Sequence, residues 1–195
     1  MERETLLTGI GGQGIQLAAR TLAFAAVRDG LEVMVFGSFG GVMRGGNTDA
    51  TVVIGDGPLK SPPTVVRAWS AIAMHHDYWP ATRDRVVTDG VAVIDRSVFL
   101  GDVGLPGRHV IEIEATKVAA DLGNPQGASM VALGALAGGT GLVTIDALLA
   151  AATEVLPPYR AQHAAANAAA LAAGYELAPT AVAAWETGVG AGRLS

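Results

Sequence analysis

The sequence predicts an α/β protein with an open Rossmann-like sheet, mixed or mostly parallel, with flanking helices and a helix-rich C-terminal part. Three observations predict this class. Short Val/Ile-rich runs alternate with longer amphipathic runs. Gly9, Gly11 and Gly14 form a G-x-G-x-x-G spacing between the first apolar run and the first amphipathic one. From Ala115 onward the apolar pattern is helical.

The elements follow in order from this periodicity. We predict strands at residues 5–8, 31–36, 50–54, 70–74, 91–94 and 110–114, and helices at 13–27, 80–85, 115–122, 129–137, 145–156 and 159–173. Gly30 is placed to follow the first helix, Thr144 to cap the fifth, and Gly174 to end the last. We expect one domain over residues 1–174 and an irregular C-terminal tail over 175–195.

Composition excludes several classes of protein. The chain of 195 residues has a formal net charge of −5 and no Lys/Arg cluster, so we expect no nucleic-acid partner. It has no cysteine, which excludes disulfides, thiolate catalysis and cysteine-bound metal clusters within this chain. The charged N-terminus does not resemble a signal peptide, and polar residues interrupt the Ala-rich run after residue 164. We therefore expect a cytoplasmic protein with no membrane segment.

The first glycine cluster has two open interpretations. Glycines let the backbone approach a phosphate closely, and the following helix offers unpaired N–H groups at its positive end. Gly14 is followed by Ile15 rather than by Lys-Ser/Thr, so this is no P-loop. Gly37 follows the second predicted strand where a dinucleotide fold usually carries an acid, which weakens a dinucleotide site. By itself the loop fits a tight structural turn as well as a ligand site.

A second glycine cluster lies in the long connection that we predict over residues 37–49. Arg44 stands among Gly40, Gly41, Gly45 and Gly46. The glycines would let its guanidinium lie at a protein surface or beside an anion. The alternative is a flexible surface loop with one solvated arginine. Ordering a loop this long and this rich in glycine costs conformational entropy, so such loops usually have a function.

A third cluster, His75-His76-Asp77, has the residue types of a metal or acid–base site. If these residues extend a strand, neighbouring side chains point to opposite faces. Both histidines then cannot easily bind one ion. We therefore interpret the cluster as the polar end of a strand, and we predict no metal site.

Four motifs occur in a fixed order along the chain: GIGGQG at 9–14, RGG at 44–46, IGDGPLKSP at 54–62 and SMVALGAL at 129–136. On these motifs the chain resembles the gamma subunit of 2-oxoacid:ferredoxin (acceptor) oxidoreductases over about residues 8–174. This group acts on pyruvate, 2-oxoglutarate, 2-oxoisovalerate, indolepyruvate and aryl-glyoxylates. The chain departs from the family at two places: Gly40-Gly41-Val42-Met43 precede the RGG where Gly-Pro-Glu or a similar sequence is common, and Ser129 stands where Asn is common.

The resemblance implies a subunit that is inactive alone. Its complex would oxidatively decarboxylate a 2-oxoacid to an acyl-CoA. Thiamine diphosphate, Mg and iron–sulfur clusters would be held by alpha, beta and delta or ferredoxin-like subunits. Electrons would pass to ferredoxin or to a flavin/NAD-linked acceptor.

The resemblance also suggests where this chain acts. We expect a single crevice at the carboxyl ends of the strands to bind a phosphate of coenzyme A or to contact a partner subunit. No catalytic or metal-binding residue is expected. The alternatives are a stand-alone nucleotide-binding oxidoreductase and a purely structural interaction domain. The residues expected to line the crevice are Gly11, Gly12, Gln13, Gly14, Arg44, Gly45, Gly46 and Asn47.

Overall fold

The computed structural model describes residues 1–39, 46–62 and 65–185. Within them the chain forms strands β1 to β6 and helices α1 to α6. The strands are Glu2–Ile10, Glu32–Phe39, Asn47–Gly55, Ala68–Ala73, Val86–Asp95 and His109–Ile113. The helices are Ile15–Arg28, Trp79–Arg83, Ala115–Asp121, Ala128–Thr140, Ile145–Glu154 and Ala164–Leu177, with 3-10 turns at Pro125–Gly127 and Pro158–His163.

The sheet is mixed and mostly parallel, as predicted, with the order β2-β3-β1-β4-β5-β6. Strand β3 runs antiparallel to both β1 and β2, whereas β1, β4, β5 and β6 are parallel. The ends of β1, β2 and β4 and the start of β3 therefore lie at one edge of the sheet. The connection from β2 to β3 is shorter than the predicted loop, because both strands extend into it.

The two faces of the sheet are covered unequally. Helices α1 and α3 to α6 contribute to the larger hydrophobic cluster on one face, with Leu7, Ile72 and Val93 of the sheet. The opposite face carries a smaller cluster built from α2 and the segment after β5. There Trp79 is buried, and its Nε1 donates a hydrogen bond to the carbonyl oxygen of Val103. No helix in the described part of the chain has the length and apolar character needed to span a membrane.

Two of the predicted helix signals are confirmed. Gly30 has a φ of +75° just after α1, the left-handed conformation that glycine adopts most easily. Thr144 caps α5, since its Oγ accepts a hydrogen bond from the N–H of Ala147 at 3.2 Å. The carboxylate of Asp29 in turn accepts hydrogen bonds from the N–H and the hydroxyl of Thr144, each at 2.7 Å. This contact joins the end of α1 to the start of α5.

The prediction that Gly174 ends the last helix is wrong. Helix α6 continues to Leu177, and Gly174 lies buried against α4. A Cβ on Gly174 would lie 1.9 Å from the carbonyl oxygen of Val131, and one on Gly134 would lie 2.0 Å from that of Leu171. These glycines serve the close packing of two helix backbones rather than a helix end.

The chain beyond α6 packs on the larger hydrophobic cluster as far as it is described. Arg3 Nε donates to the carbonyl oxygen of Ala184 at 2.6 Å, and the Arg3 guanidinium lies over the Trp69 ring. Trp185 Nε1 donates to the carbonyl oxygen of Leu142 at 3.0 Å. The predicted tail therefore begins as helix and continues as a packed segment. The division of the chain at residue 174 stays a prediction.

Candidate functional site

The glycine loop, residues 11–14, connects the end of β1 directly to α1. Gly12 and Gly14 have φ values of +106° and +79°, in the region that glycine favours. Gly14 is the N-cap residue of α1, and no side chain caps the helix there. The positive end of the α1 dipole and its first N–H groups are therefore available to a ligand.

Gln13 holds this loop against two strands. Its Oε1 accepts a hydrogen bond from the N–H of Ile10, and its Nε2 donates to the carbonyl oxygen of Met74, both at 2.8 Å. Gly9 leaves room for this arrangement, because a Cβ there would lie 2.6 Å from Gln13 Oε1. Gln13 is thus a brace between β1 and the end of β4 rather than part of the loop surface.

Gln16 makes a second brace, from the first turn of α1. Its Nε2 donates to the carbonyl oxygen of Asp49 in β3 at 2.8 Å. Gly37 of β2 is needed beside it, because a Cβ on Gly37 would lie 2.3 Å from Gln16 Oε1. A side chain at Gly37, the position where a dinucleotide fold places an acid, would therefore displace the Gln16 amide from its present position.

The structure brings the described part of the second glycine cluster against the first. The N–H of Gly11 donates to the carbonyl oxygen of Gly46 at 2.9 Å. Asn47 begins β3, and its Nδ2 donates to Asp49 Oδ2 at 2.7 Å. Arg44 and Gly45 lie outside the described residues. Gly46 and Asn47 thus lie beside the glycine loop, where β1 ends and β3 begins.

A cavity of about 710 Å³ opens beside the glycine loop. One wall consists of the loop, the first turns of α1 and Thr48 of β3. The other wall comes from the segment before α4, the 3-10 turn at Pro158–His163 and the start of α6. The polar side chains that line the cavity belong to Gln16, Arg20, Thr48, Asn124, Gln126, Tyr159, Arg160, His163 and Asn167.

The cavity is opposite in charge to the molecule as a whole. None of its described lining residues carries a carboxylate, although the chain has a formal net charge of −5. Arg20 and Arg160 are both exposed and supply two positive charges, and His163 supplies a third when protonated. The Arg160 guanidinium lies 5.6 Å from the ring centre of Tyr159. Together with the end of α1, these groups favour an anionic ligand.

Sequence reasoning missed the second wall, and on the first wall it missed Gln16 and Arg20. Gln16 and Arg20 are one turn apart on α1, so helical spacing after the glycine loop could have placed them on one face. Asn124, Arg160 and His163 come from segments more than one hundred residues away, and no local pattern associates them with the loop. The predicted crevice is therefore lined by more of the chain than its two glycine clusters.

Ser129, at the start of α4, lies directly behind the glycine loop. It is only 1% exposed, and its Oγ has no hydrogen-bond partner among the described residues. A Cβ on Gly14 would lie 2.6 Å from that oxygen. The left-handed glycine and the small Ser129 side chain thus allow α1 and α4 to approach each other at this point.

His75, His76 and Asp77 do not extend β4, which ends at Ala73. The two imidazole rings stack, with centres 4.6 Å apart and an interplanar angle of 18°. Oδ2 of Asp77 lies 3.6 Å from Nδ1 of His75, and its Oδ1 lies 3.2 Å from Nε2 of His76. The expectation that strand geometry would separate the histidines is therefore wrong, because these residues form a turn.

Comparisons with known proteins agree on one family. The family model described as pyruvate ferredoxin/flavodoxin oxidoreductase matches residues 4–177. Pyruvate synthase subunit PorC of Methanothermobacter thermautotrophicus is 36% identical over 156 residues, which cover 76% of this chain and 82% of that protein. The 2-oxoglutarate synthase subunit KorC of Methanocaldococcus jannaschii is 30% identical over 182 residues, covering 91% and 95%.

A solved structure has the same fold. The gamma subunit of a keto/oxoacid ferredoxin oxidoreductase from Geobacter sulfurreducens superposes with a TM-score of 0.77 at 26% identity. The match covers 90% of this chain and 95% of that one. The sheet, its flanking helices and the helix-rich C-terminal part are thus common to both molecules.

Proposed function

Because this chain belongs to the pyruvate ferredoxin/flavodoxin oxidoreductase family, as a gamma-type subunit, we propose that its cavity binds the phosphates of coenzyme A. The family's chemistry is oxidative decarboxylation of a 2-oxoacid, in which coenzyme A accepts the acyl group. This chain contributes a binding wall to that reaction. The stand-alone nucleotide-binding alternative has no support from the family or from Gly37.

The proposal assigns the redox chemistry to partner subunits in the cytoplasm. This chain has no cysteine, so it supplies no thiolate to an iron–sulfur cluster. Alpha, beta and delta or ferredoxin-like subunits would hold thiamine diphosphate, Mg and the clusters. Ferredoxin or a flavin/NAD-linked subunit would take the electrons. Pyruvate and 2-oxoglutarate are the substrates in the names of the curated relatives, and both belong in the first assays.

The observation that carries the coenzyme A proposal is the charge of the cavity. Coenzyme A has a diphosphate and a ribose phosphate, so its nucleotide end is strongly anionic. The lining offers Arg20 and Arg160 and no carboxylate among its described members. A cavity of about 710 Å³ lies within the usual range for small-molecule sites. The glycine loop adds close backbone approach and the positive end of α1.

The predicted loop residues have distinct parts in this proposal. Gly11, Gly12 and Gly14 line the cavity. Gly12 and Gly14 would present N–H groups to a phosphate, whereas the Gly11 N–H is bonded to Gly46. Gln13 would act indirectly, by bracing the loop. Gly46 and Asn47 lie next to the loop at the sheet edge. Arg44 and Gly45, outside the described residues, stay part of the proposal from the sequence alone.

The test removes the two charges in the assembled enzyme. The double variant Arg20→Gln/Arg160→Gln is expected to raise the KM for coenzyme A by about tenfold or more, since one charge-assisted hydrogen bond contributes roughly 1.5–3 kcal/mol. The KM for the 2-oxoacid and kcat at saturating coenzyme A are expected to stay near their wild-type values. Steady-state kinetics on the purified complex measure all three.

Arg83→Gln is the matched control, because it removes a partly exposed arginine on α2, at the opposite face of the sheet. An unchanged KM for coenzyme A in the double variant contradicts the proposal. If the double variant instead fails to assemble with its partners in gel filtration, the cavity is a packing surface for another subunit. That result would favour the structural interaction domain.

A further inference from the structure

The cluster of His75, His76 and Asp77 has no part in the proposed coenzyme A site. It follows β4 at the carboxyl edge of the sheet, and His76 packs edge-on against Phe99 with ring centres 6.3 Å apart. Phe99 belongs to the smaller hydrophobic cluster, on the face opposite α1. We infer that this His75–Asp77 cluster binds a divalent first-row transition metal ion such as Zn²⁺.

The donor atoms of the cluster are already close together. One nitrogen of each imidazole and one oxygen of Asp77 all lie within 4.8 Å of one another. Two imidazoles and a carboxylate are ligands that suit zinc and its neighbours, and they leave a position for water. The Asp77 side chain is 63% exposed, so an ion can reach the site from solvent.

The hydrogen bonding of both rings is compatible with this role. The N–H of Asp77 donates to Nδ1 of His75 at 3.3 Å, so that nitrogen carries a lone pair. A metal ion bound there would replace this hydrogen bond. Nδ1 of His76 is buried and has no partner among the described residues, whereas Nε2 faces Asp77. The His76 ring is therefore not fixed by a complete set of hydrogen bonds, in contrast to Trp79.

Metal binding requires a small local movement. In a tetrahedral zinc site with bonds of about 2.0–2.1 Å, neighbouring ligand atoms lie roughly 3.3 Å apart. The donors of the cluster must therefore close by up to about 1.5 Å, and the stacked rings must rotate. The turn permits this, because the His76 side chain is 38% exposed and no strand hydrogen bonding holds it.

Titration of the full-length, tag-free chain with ZnCl₂ tests the inference directly. Isothermal titration calorimetry is expected to show one saturable zinc site per chain. His75→Ala, His76→Ala and Asp77→Asn are each expected to weaken binding by more than about tenfold. Asp77→Glu keeps the carboxylate and is expected to recover part of the affinity. His109→Ala, which removes an exposed histidine on β6, is expected to change nothing.

Cobalt provides a second readout, since Co²⁺ bound in the same site gives visible absorption bands that report its coordination. We expect these bands in the wild-type chain and in His109→Ala, and their loss in His75→Ala/His76→Ala. Zinc binding that survives in that double variant, or the absence of saturable binding in the wild type, overturns the inference. Far-UV circular dichroism of the metal-free variants checks folding, and His76→Gln replaces His76→Ala if the latter unfolds.

Discussion

At Gly14 both the backbone conformation and the Ser129 hydroxyl disfavour a Cβ. Gly14→Ala is expected to destabilise the chain by about 1–2 kcal/mol from its left-handed φ alone, with an added cost from the Ser129 oxygen 2.6 Å away. Gly30→Ala is the matched control, since Gly30 has a similar φ of +75° and open space around it. Urea unfolding measures the loss of stability in both variants, and the difference between the two losses is the cost of the contact with Ser129.

The double variant Gly14→Ala/Ser129→Ala completes that comparison. This double variant lacks the Ser129 oxygen that crowds the new Cβ. Its free energy of unfolding is therefore expected to fall only as far as that of Gly30→Ala. Equal destabilisation by Gly14→Ala and Gly30→Ala would mean that the Ser129 hydroxyl or α4 moves aside without cost. The contact would then have no part in positioning the loop.

Glu2 gives stability a specific dependence on pH. Hydrogen bonds from Ser61 and from the N–H of Lys60 lower the pKa of the Glu2 carboxyl. The carboxylate therefore stabilises the fold fully above the ordinary pKa of about 4.3, and the contribution is lost as the pH falls through the lowered folded value. Glu2→Gln is expected to be less stable than wild type at pH 7 and to approach it at pH 3. Urea midpoints that differ equally at every pH contradict this assignment.

Among the elements, α6 provides the clearest test of packing. Gly174→Ala raises helix propensity by about 1 kcal/mol, so an unpacked helix would gain stability. Because the new Cβ would lie 1.9 Å from the Val131 carbonyl oxygen, we expect instead a loss of about 3 kcal/mol, measured by urea unfolding. Ala169→Gly on the exposed side of the same helix is expected to lose only about 1 kcal/mol. A neutral Gly174→Ala would show that α4 and α6 can separate freely.

The cap of α5 depends on the hydroxyl of Thr144. Thr144→Ala is expected to cost about 1–2 kcal/mol, since it removes the bond to the Ala147 N–H and the one to Asp29. Thr144→Ser retains the hydroxyl and is expected to lose little. Thermal unfolding measures both, and equal losses in the two variants would assign the effect to the methyl group.

Local patterns predicted the elements better than their ends. All six strands and all six helices in the described ranges were expected, because Val/Ile runs and apolar periodicity are local signals. The β2–β3 connection was predicted too long, since glycines at 37 and 46 weaken a strand signal that pairing between the strands overrides. Gly174 was misread because a helix-ending glycine and a packing glycine look alike without the partner helix.

For the whole molecule, the decisive prediction concerns its partners. The isolated chain is expected to show no 2-oxoacid oxidation with coenzyme A. Purified by affinity from its native source, it is expected to bring larger subunits that carry thiamine diphosphate and iron–sulfur clusters. Mass spectrometry and the absorption spectrum of the purified material check this. A chain that is recovered alone and oxidises 2-oxoacids by itself would contradict the subunit assignment.

The arrangement of the molecule was less predictable than its parts. Strand β3 lies antiparallel between β1 and β2, and its pairing with β1 joins residues far apart in sequence. The apolar pattern of β3 suits either strand direction. The cavity likewise joins Arg20 to Arg160, which only the folded chain brings near each other. The sequence motifs identified the family and the loop on one wall of the cavity. The second wall, with Arg160, could be assigned only from the folded structure.

The glycines of α4 have one further consequence. Gly134 and Gly138 form a small-xxx-small pair, the spacing known from helix dimers in membranes, and both face the backbone of α6. The apolar residues of α4 and α6 are not confined to one face of either helix. The hydrophobic pattern therefore does not fix how each helix is turned about its own axis. Gly174 is two helical turns, about 10 Å, from Asn167 in the cavity wall. The orientation of α6, and with it the position of that cavity wall, is therefore determined by glycines that contribute no side chain to the cavity.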